Sequence, residues 1–192
     1  GGFWLYGSLT AAFGNNYSAI FLAYSDTISG KYKYQDTLVV SGGNWGSTAN
    51  AIDPQIYYDA EGRMYMAYGS FQGGLRAIEL DPQTGERLDG YTYAMYDSRE
   101  IVANEYYGAK IASTSTVEGP VVAYKRGVQL YSGDILNAAE DASLWTQQNT
   151  YFLMGSSDSL SLDYTMRQWS SASPASGFTG NVKTASSFSW KH

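Results

Sequence analysis

One short phrase recurs along this 192-residue chain and limits what it can fold into. Phe3 to Ser8 reads FWLYGS, Met64 to Ser70 reads MYMAYGS, and Tyr151 to Ser156 reads YFLMGS. Each is an aromatic and aliphatic run that closes on Gly-Ser. Each is followed, after a variable loop, by a second strand-like run with polar residues at its end: AIFLAYSD (Ala19 to Asp26), LRAIELD (Leu75 to Asp81) and YTMRQWSS (Tyr164 to Ser171). A strand unit that recurs with loops of unequal length suggests a β-propeller, whose blades are four-stranded sheets.

The middle unit is the clearest. Ile52 to Tyr58 is expected to form an inner strand, Asp59-Ala60-Glu61-Gly62 a hairpin turn, and Met64 to Gly69 the returning strand. Gly73-Gly74 then turns into Leu75 to Leu80, and Asp81-Pro82-Gln83-Thr84-Gly85 turns into an outer strand near Tyr91 to Met95. These assignments divide the chain into an incomplete first blade (1–40), a second blade (50–96), and a third blade with its following strands (115–190). At roughly 50–60 residues per blade with its loops, the chain supplies about three, fewer than the 4–8 of a closed propeller. Asp134 to Trp145 breaks the pattern. Asp134 is a candidate N-cap and the apolar spacing is helix-like, so a short helix or an irregular insertion is expected there. Ser170 to Ser189 is Ser-, Ala- and Gly-rich and reads as strand and loop.

Composition supports an all-β chain and narrows its partners. Charged residues are only 16%, and 18 Tyr, 7 Phe, 5 Trp and 21 Gly stand in their place. Aromatic side chains suit a pleated, half-buried surface, and glycine suits tight turns. The net charge of −6 repels phosphate backbones and anionic lipid, so neither nucleic acid nor a membrane is expected as a partner. A neutral ligand fits better, because flat rings stack on the apolar faces of sugars. The plainer alternative is that the tyrosines only fill strand surfaces. With no cysteine, disulfides, Cys-ligated zinc and Cys nucleophiles are excluded. The only histidine is the last residue, His192, so a His-based triad within one chain is not expected either. No metal site is assigned.

Two carboxylates stand out. Asp53 lies in NAIDP (Asn50 to Pro54) and Glu118 in VEGP (Val117 to Pro120), each just before a strand. In a propeller the first residues of innermost strands line the central channel, so two acids there would converge on one polar pocket. Glycoside hydrolysis needs such a grouping: one acid protonates the leaving oxygen, and a carboxylate activates water or attacks. The structural alternative is that an acid beside Asp-Pro or Gly-Pro only closes a turn by binding a backbone N–H.

The stretch NAIDPQIYYDAEGRMYMAYGSFQGGLRAIELDPQTG (Asn50 to Gly85) resembles the second blade of arabinanases in glycoside hydrolase family 43. YYGAKIASTSTVEGPVVAYKRG (Tyr106 to Gly127) resembles their third blade, YTMRQWSSASP (Tyr164 to Pro174) the strand after it, and FWLYGS the second strand of their first blade. The resemblance implies a five-bladed propeller, with about three blades in this chain, that cleaves α-1,5-linked arabinan. Exo-acting arabinofuranosidases and β-xylosidases are the nearest variants, so xylose-containing polymers also come into view. Glu118 matches the general acid, and Asp53 the third acidic residue, which orients and tunes that acid. Ser70 matches a pocket residue that binds sugar hydroxyls, with Asn50, Ala51 and Phe71 as neighbours. Arg167 matches an Arg that reaches toward substrate; its plainer reading is a surface ion pair.

The resemblance also sets up further expectations. These enzymes invert, with a base carboxylate about 6.5–9.5 Å from the acid. In the family that base is an Asp on the strand preceding the one matched by FWLYGS, and the sequence here begins at Gly1. In the family a blade-five His stands near an axial ion, often calcium; no copy of that motif is recognisable, and no cofactor is assigned. If this chain is the whole protein, its open sheet edges predict a homodimer or larger assembly. Secretion is expected because polymeric arabinan lies outside the cell. Two other readings remain: a propeller that binds pentose oligosaccharides without cutting them, and an interaction scaffold, which would need no acid pair.

Overall fold

The computed structural model describes residues 1–12, 14–42, 49–93, 104–113, 116–131, 145–157 and 165–184. They form three consecutive antiparallel sheets. In the first, β1 (Phe3–Thr10), β2 (Ser18–Ser25) and β3 (Lys33–Ser41) pair in chain order. In the second, the order is β4 (Gln55–Tyr58), β5 (Met64–Tyr68), β6 (Leu75–Leu80) and β7 (Ala109–Ala112). The third runs through β8 (Val117–Tyr131), β9 (Trp145–Ser157), β10 (Thr165–Ser171) and β11 (Thr179–Thr184). Among the described residues the one helical element is a 3-10 turn at Asn104–Tyr107, so the chain is all-β as expected.

The sheets pack as blades do, with a core between each pair. β5 displays the logic, because all five of its residues are buried. Successive strand residues point to opposite faces. Met64, Met66 and Tyr68 join Ile20, Leu22, Leu38 and Val39 of the first sheet. Tyr65 and Ala67 join Val117, Val122, Tyr151 and Leu153 of the third. A strand buried on both faces has no polar side, which is why MYMAY shows no hydrophobic alternation. Hydrogen bonds add to the second interface: Tyr57 Oη–H donates to Pro174 O (2.8 Å) and Ala60 N–H donates to Tyr151 Oη (3.1 Å).

The hairpin at 59–62 forms as read, with Gly62 at φ 85° and Asp59 Oδ1 accepting from the Glu61 and Arg63 N–H groups. Two readings are corrected. The inner strand begins at Gln55 rather than Ile52, because Asp53 is left-handed (φ 57°) and Pro54 has no N–H to donate. The outer strand is not near Tyr91–Met95. The fourth strand is β7, at Ala109–Ala112, reached by a longer connection. Tyr91 and Tyr93 are not in a strand; Tyr91 stacks on Tyr106, and the Arg87 guanidinium lies over both Tyr91 and Tyr93. Met95, and residues 134–144 of the anticipated helix or insertion, lie outside the described residues; Trp145 opens β9.

Candidate active site

Asp53 and Glu118 come together. Asp53 is held in a sharp turn before β4, where Ile52 N–H donates to Asn50 O (2.9 Å) and Gly69 N–H donates to Ile52 O (2.9 Å). Glu118 sits on β8 next to an irregularity. Glu118 pairs with Ser156 and Val121 with Met154, so Gly119 and Pro120 together oppose Gly155. Gly119 is left-handed (φ 59°), which a glycine adopts without a Cβ penalty, and Pro120 needs no ladder donor. The bulge interrupts regular pairing beside Glu118, and the ladder resumes at Val121. The two carboxyl groups line one open depression of ≈ 480 Å³, with Pro54, Gln55, Gly119, Pro120 and Val121 as the other walls.

Contacts between the second and third blades fix this geometry. Ser70 Oγ–H donates to Glu118 Oε2 (3.0 Å), and the backbones of Ser70 and Glu118 form an isolated bridge. Phe71 N–H donates to Val117 O (2.8 Å). Gln55 ties the inner strands together, since its Oε1 accepts from Val122 N–H (2.9 Å). Sequence reading missed Gln55, Gly119, Pro120 and Val121. Their one signal is adjacency to the acids, because Gln55 follows NAIDP and the other three follow Glu118.

The other expected residues divide into two groups. Ser70 is buried and touches Glu118, and Phe71 is half-buried in the left-handed turn after it (φ 50°). Asn50 and Ala51 are buried under the site rather than lining it: Asn50 Nδ2 donates to Ser70 O (3.3 Å), and Ala51 N–H donates to Ser41 Oγ (2.9 Å). Gln72, also buried with φ 40°, belongs to the same turn and was not singled out from sequence. Arg167 lies two strands from Glu118 in the third sheet, where its Nε–H donates to Ser157 Oγ (2.9 Å). That bond runs across the ladder to β9.

The Asp53 carboxyl is raised above the ordinary carboxylate range, first by partial removal from water and then by the Glu118 charge; the Gly119 N–H, donating to it, works the other way. A group raised on folding gives stability that is present below its unfolded pKa and is lost as pH rises through the folded value. Asp53→Asn is therefore expected to be the more stable protein at pH 7, with the gap closing below about pH 3.9. The gain should stay under about 1 kcal/mol, because the side chain remains open to solvent. Melting curves at pH 7 and pH 3 measure it, and a less stable Asn variant at pH 7 would contradict this electrostatic account.

Two adjacent carboxyl groups in a solvent-open depression, one of them held by a buried serine hydroxyl, can hold and release a proton and can bind hydroxyl groups. Among the described residues no group of three His, Asp or Glu side chains is placed to hold a metal ion, and no helix is long and apolar enough to cross a membrane. His192 lies outside the described residues.

Comparison with known proteins agrees with this architecture. The model of the family "Glycosyl hydrolases family 43" matches residues 1–132. The chain is 33% identical over 135 residues to an extracellular endo-alpha-(1->5)-L-arabinanase of Thermotoga petrophila, covering 63% of this chain and 26% of that protein. It is 31% identical over 124 residues to extracellular endo-alpha-(1->5)-L-arabinanase 2 of Bacillus subtilis, covering 59% and 24%. The chain thus spans about a quarter of the length of these relatives. Among solved structures, the endo-1,5-alpha-L-arabinanase of Thermotoga petrophila superposes with a TM-score of 0.64 at 29% identity, covering 93% of this chain and 37% of that one. Native arabinanase from Bacillus subtilis gives 0.62 at 26% identity, covering 94% and 50%. The fold is of the five-bladed β-propeller type, and the three sheets are three of its blades.

Proposed function

The chain belongs to glycosyl hydrolase family 43, and from that premise we propose that it is the part of a glycoside hydrolase that carries the proton donor for cleaving α-1,5-linked arabinan. The observation that carries this reading is the Ser70–Glu118 hydrogen bond between two blades, with Asp53 in the same depression. Glu118 is the general acid: it protonates the glycosidic oxygen as the bond to the anomeric carbon breaks. Asp53 orients Glu118 through the bond it accepts from the Gly119 N–H and through the field of its charge. Ser70 fixes one carboxyl oxygen, and Phe71 carries the turn that sets Ser70 against the third blade. Asn50 and Ala51 support the site from beneath. Arg167 reaches the substrate from the third blade.

The mechanism we propose is inversion, in which a further carboxylate activates water from the opposite side of the sugar ring. Among the described residues, Asp53 and Glu118 are the carboxylates lining the depression, so that base is not assigned to either of them. Relatives named as extracellular arabinanases support action outside the cell, where the polymer is found.

The test is release of reducing sugar from linear arabinan, with xylan as the competing polymer. Release from arabinan at a rate well above that from xylan is the expected result. Preference for xylan would overturn the substrate assignment. Calorimetric binding of arabino-oligosaccharides with no product from either polymer would mean that this chain binds saccharide without cutting it.

A further inference from the structure

A second depression, of ≈ 490 Å³, is lined by Trp4, Tyr24, Gln35, Gln83, Thr84 and Glu86. It lies at the end of the blades opposite the carboxylates. Asp53 precedes β4, and Ser70 follows β5, at one end of the second sheet. Met64 pairs with Leu80 at the other end, and the 81–86 turn leaves from there.

Its walls are built in advance of any ligand. Trp4 and Tyr24 are direct cross-strand partners, so their rings stand on one face of the first blade. The opposing turn is closed by Gly85 N–H to Asp81 O (2.8 Å), Gln83 N–H to Asp81 Oδ1 (2.7 Å) and Glu86 N–H to Thr84 Oγ1 (3.3 Å). Tyr6 Oη–H reaches across the blades to Gly85 O (3.0 Å). A Cβ on Gly85 would lie 3.0 Å from Trp4 Cδ2, so the turn meets the indole with no side chain between them. Preorganised walls reduce the ordering cost of binding.

The lining chemistry selects the ligand class. Two amphipathic rings offer flat apolar faces, while two neutral amides and a hydroxyl offer donors and acceptors at the rim. Glu86 accepts hydrogen bonds and repels anions, and so does Asp26, which accepts from Tyr24 Oη (3.1 Å). We infer that this depression is a second, non-catalytic saccharide site that binds a neutral pentose oligosaccharide, where the choice of pentose rests on the proposed arabinan activity. A site on the far side of the blades lets one polymer be held at two places, which raises its effective concentration at the carboxylates.

The test is an amide-resolved NMR titration of the Glu118→Gln protein, which leaves the ligand uncut, with α-1,5-linked arabinohexaose. The Trp4 indole N–H and the Gln35 and Gln83 side-chain amides report the second site; the Ser70 and Gly119 backbone amides report the first. Saturable shifts in both groups are expected. In a Gln35→Ala, Gln83→Ala protein, altered only at exposed positions, the Kd read from Trp4 should rise about tenfold while that read from Gly119 stays unchanged. Shifts at Ser70 and Gly119 alone would overturn the second site and leave the proposed function standing. Shifts at Trp4 alone would do the reverse. An unchanged Trp4 Kd in the double variant would also overturn the second site, and shifts at neither would overturn both readings.

Discussion

Glu118→Gln is expected to lower the rate of reducing-sugar release from linear arabinan by about 10²–10⁴-fold, the usual contribution of a positioned general acid. The amide has the shape of the carboxyl group and its oxygen still accepts from Ser70 Oγ, so the bond between the blades survives. What is lost is the proton that the leaving oxygen needs. Oligosaccharide affinity should therefore change little, and the melting temperature should stay close to that of the parent. Ser70→Ala supplies the contrast. It removes the hydroxyl that fixes Glu118 but leaves the acid in place, so the loss should be about tenfold, the scale of one hydrogen bond. Rates measured side by side on arabinan check both variants. A Glu118→Gln protein that keeps the full parental rate would remove Glu118 from the mechanism.

A large loss of stability should come from Gly74→Ala, at about 3 kcal/mol or more. Gly74 is left-handed (φ 81°), and a Cβ there would lie 2.3 Å from Ala112 O and 3.3 Å from Ser113 Cα. Both neighbours are backbone, so relief requires parting β6 from β7 at the end of the blade. The urea midpoint should fall by roughly 1–3 M, taking a slope of about 1–3 kcal/mol/M. Gly62→Ala is the control, since its φ is almost the same (85°) but nothing lies within 4 Å of its Cβ. It carries only the left-handed penalty, about 1–2 kcal/mol. Equal midpoints for the two variants would mean that the contact with Ala112 O costs nothing. Gly74 N–H also donates to Phe71 O (3.0 Å), and Phe71 N–H donates to Val117 O (2.8 Å). A strained Gly74 should therefore loosen Glu118, and activity should fall before the protein unfolds.

The position of the acids explains why they were easy to read and why their setting was not. NAIDP and VEGP combine an acid with turn-forming neighbours at the start of a strand, which is local information. Gln55 is different: its side chain acquires a role only when Val122, 67 residues later, is placed opposite it. Ser70 and Glu118 are 48 residues apart, and the bond between them depends on two blades stacking face to face. Asn50 and Ala51 share the motif with Asp53 but are buried, held by bonds to Ser70 O and Ser41 Oγ from segments distant in the chain.

Strands were legible where packing and propensity agree. β1, β2, β5 and β6 are rich in aromatic and β-branched or long apolar residues, and they lie within a residue or two of the runs that mark them. Tyr91–Met95 shows the opposite case. Its tyrosines favour a strand, yet in the structure Tyr91 and Tyr93 pack against Tyr106 and Arg87. The edge position goes to AKIA at Ala109–Ala112, four residues with little β-propensity of their own. Strand preference is a matter of fitting a particular neighbour, and no local pattern names that neighbour. The sequence by itself determined the all-β class, the recurring blade unit and the two acids, because turns, periodicity and composition are local. Only the tertiary structure decided the outer strand of the second blade, the bulge beside Glu118 and the meeting of Ser70, Gln55 and Asp53 around it, because each of these is a contact between segments far apart in the chain.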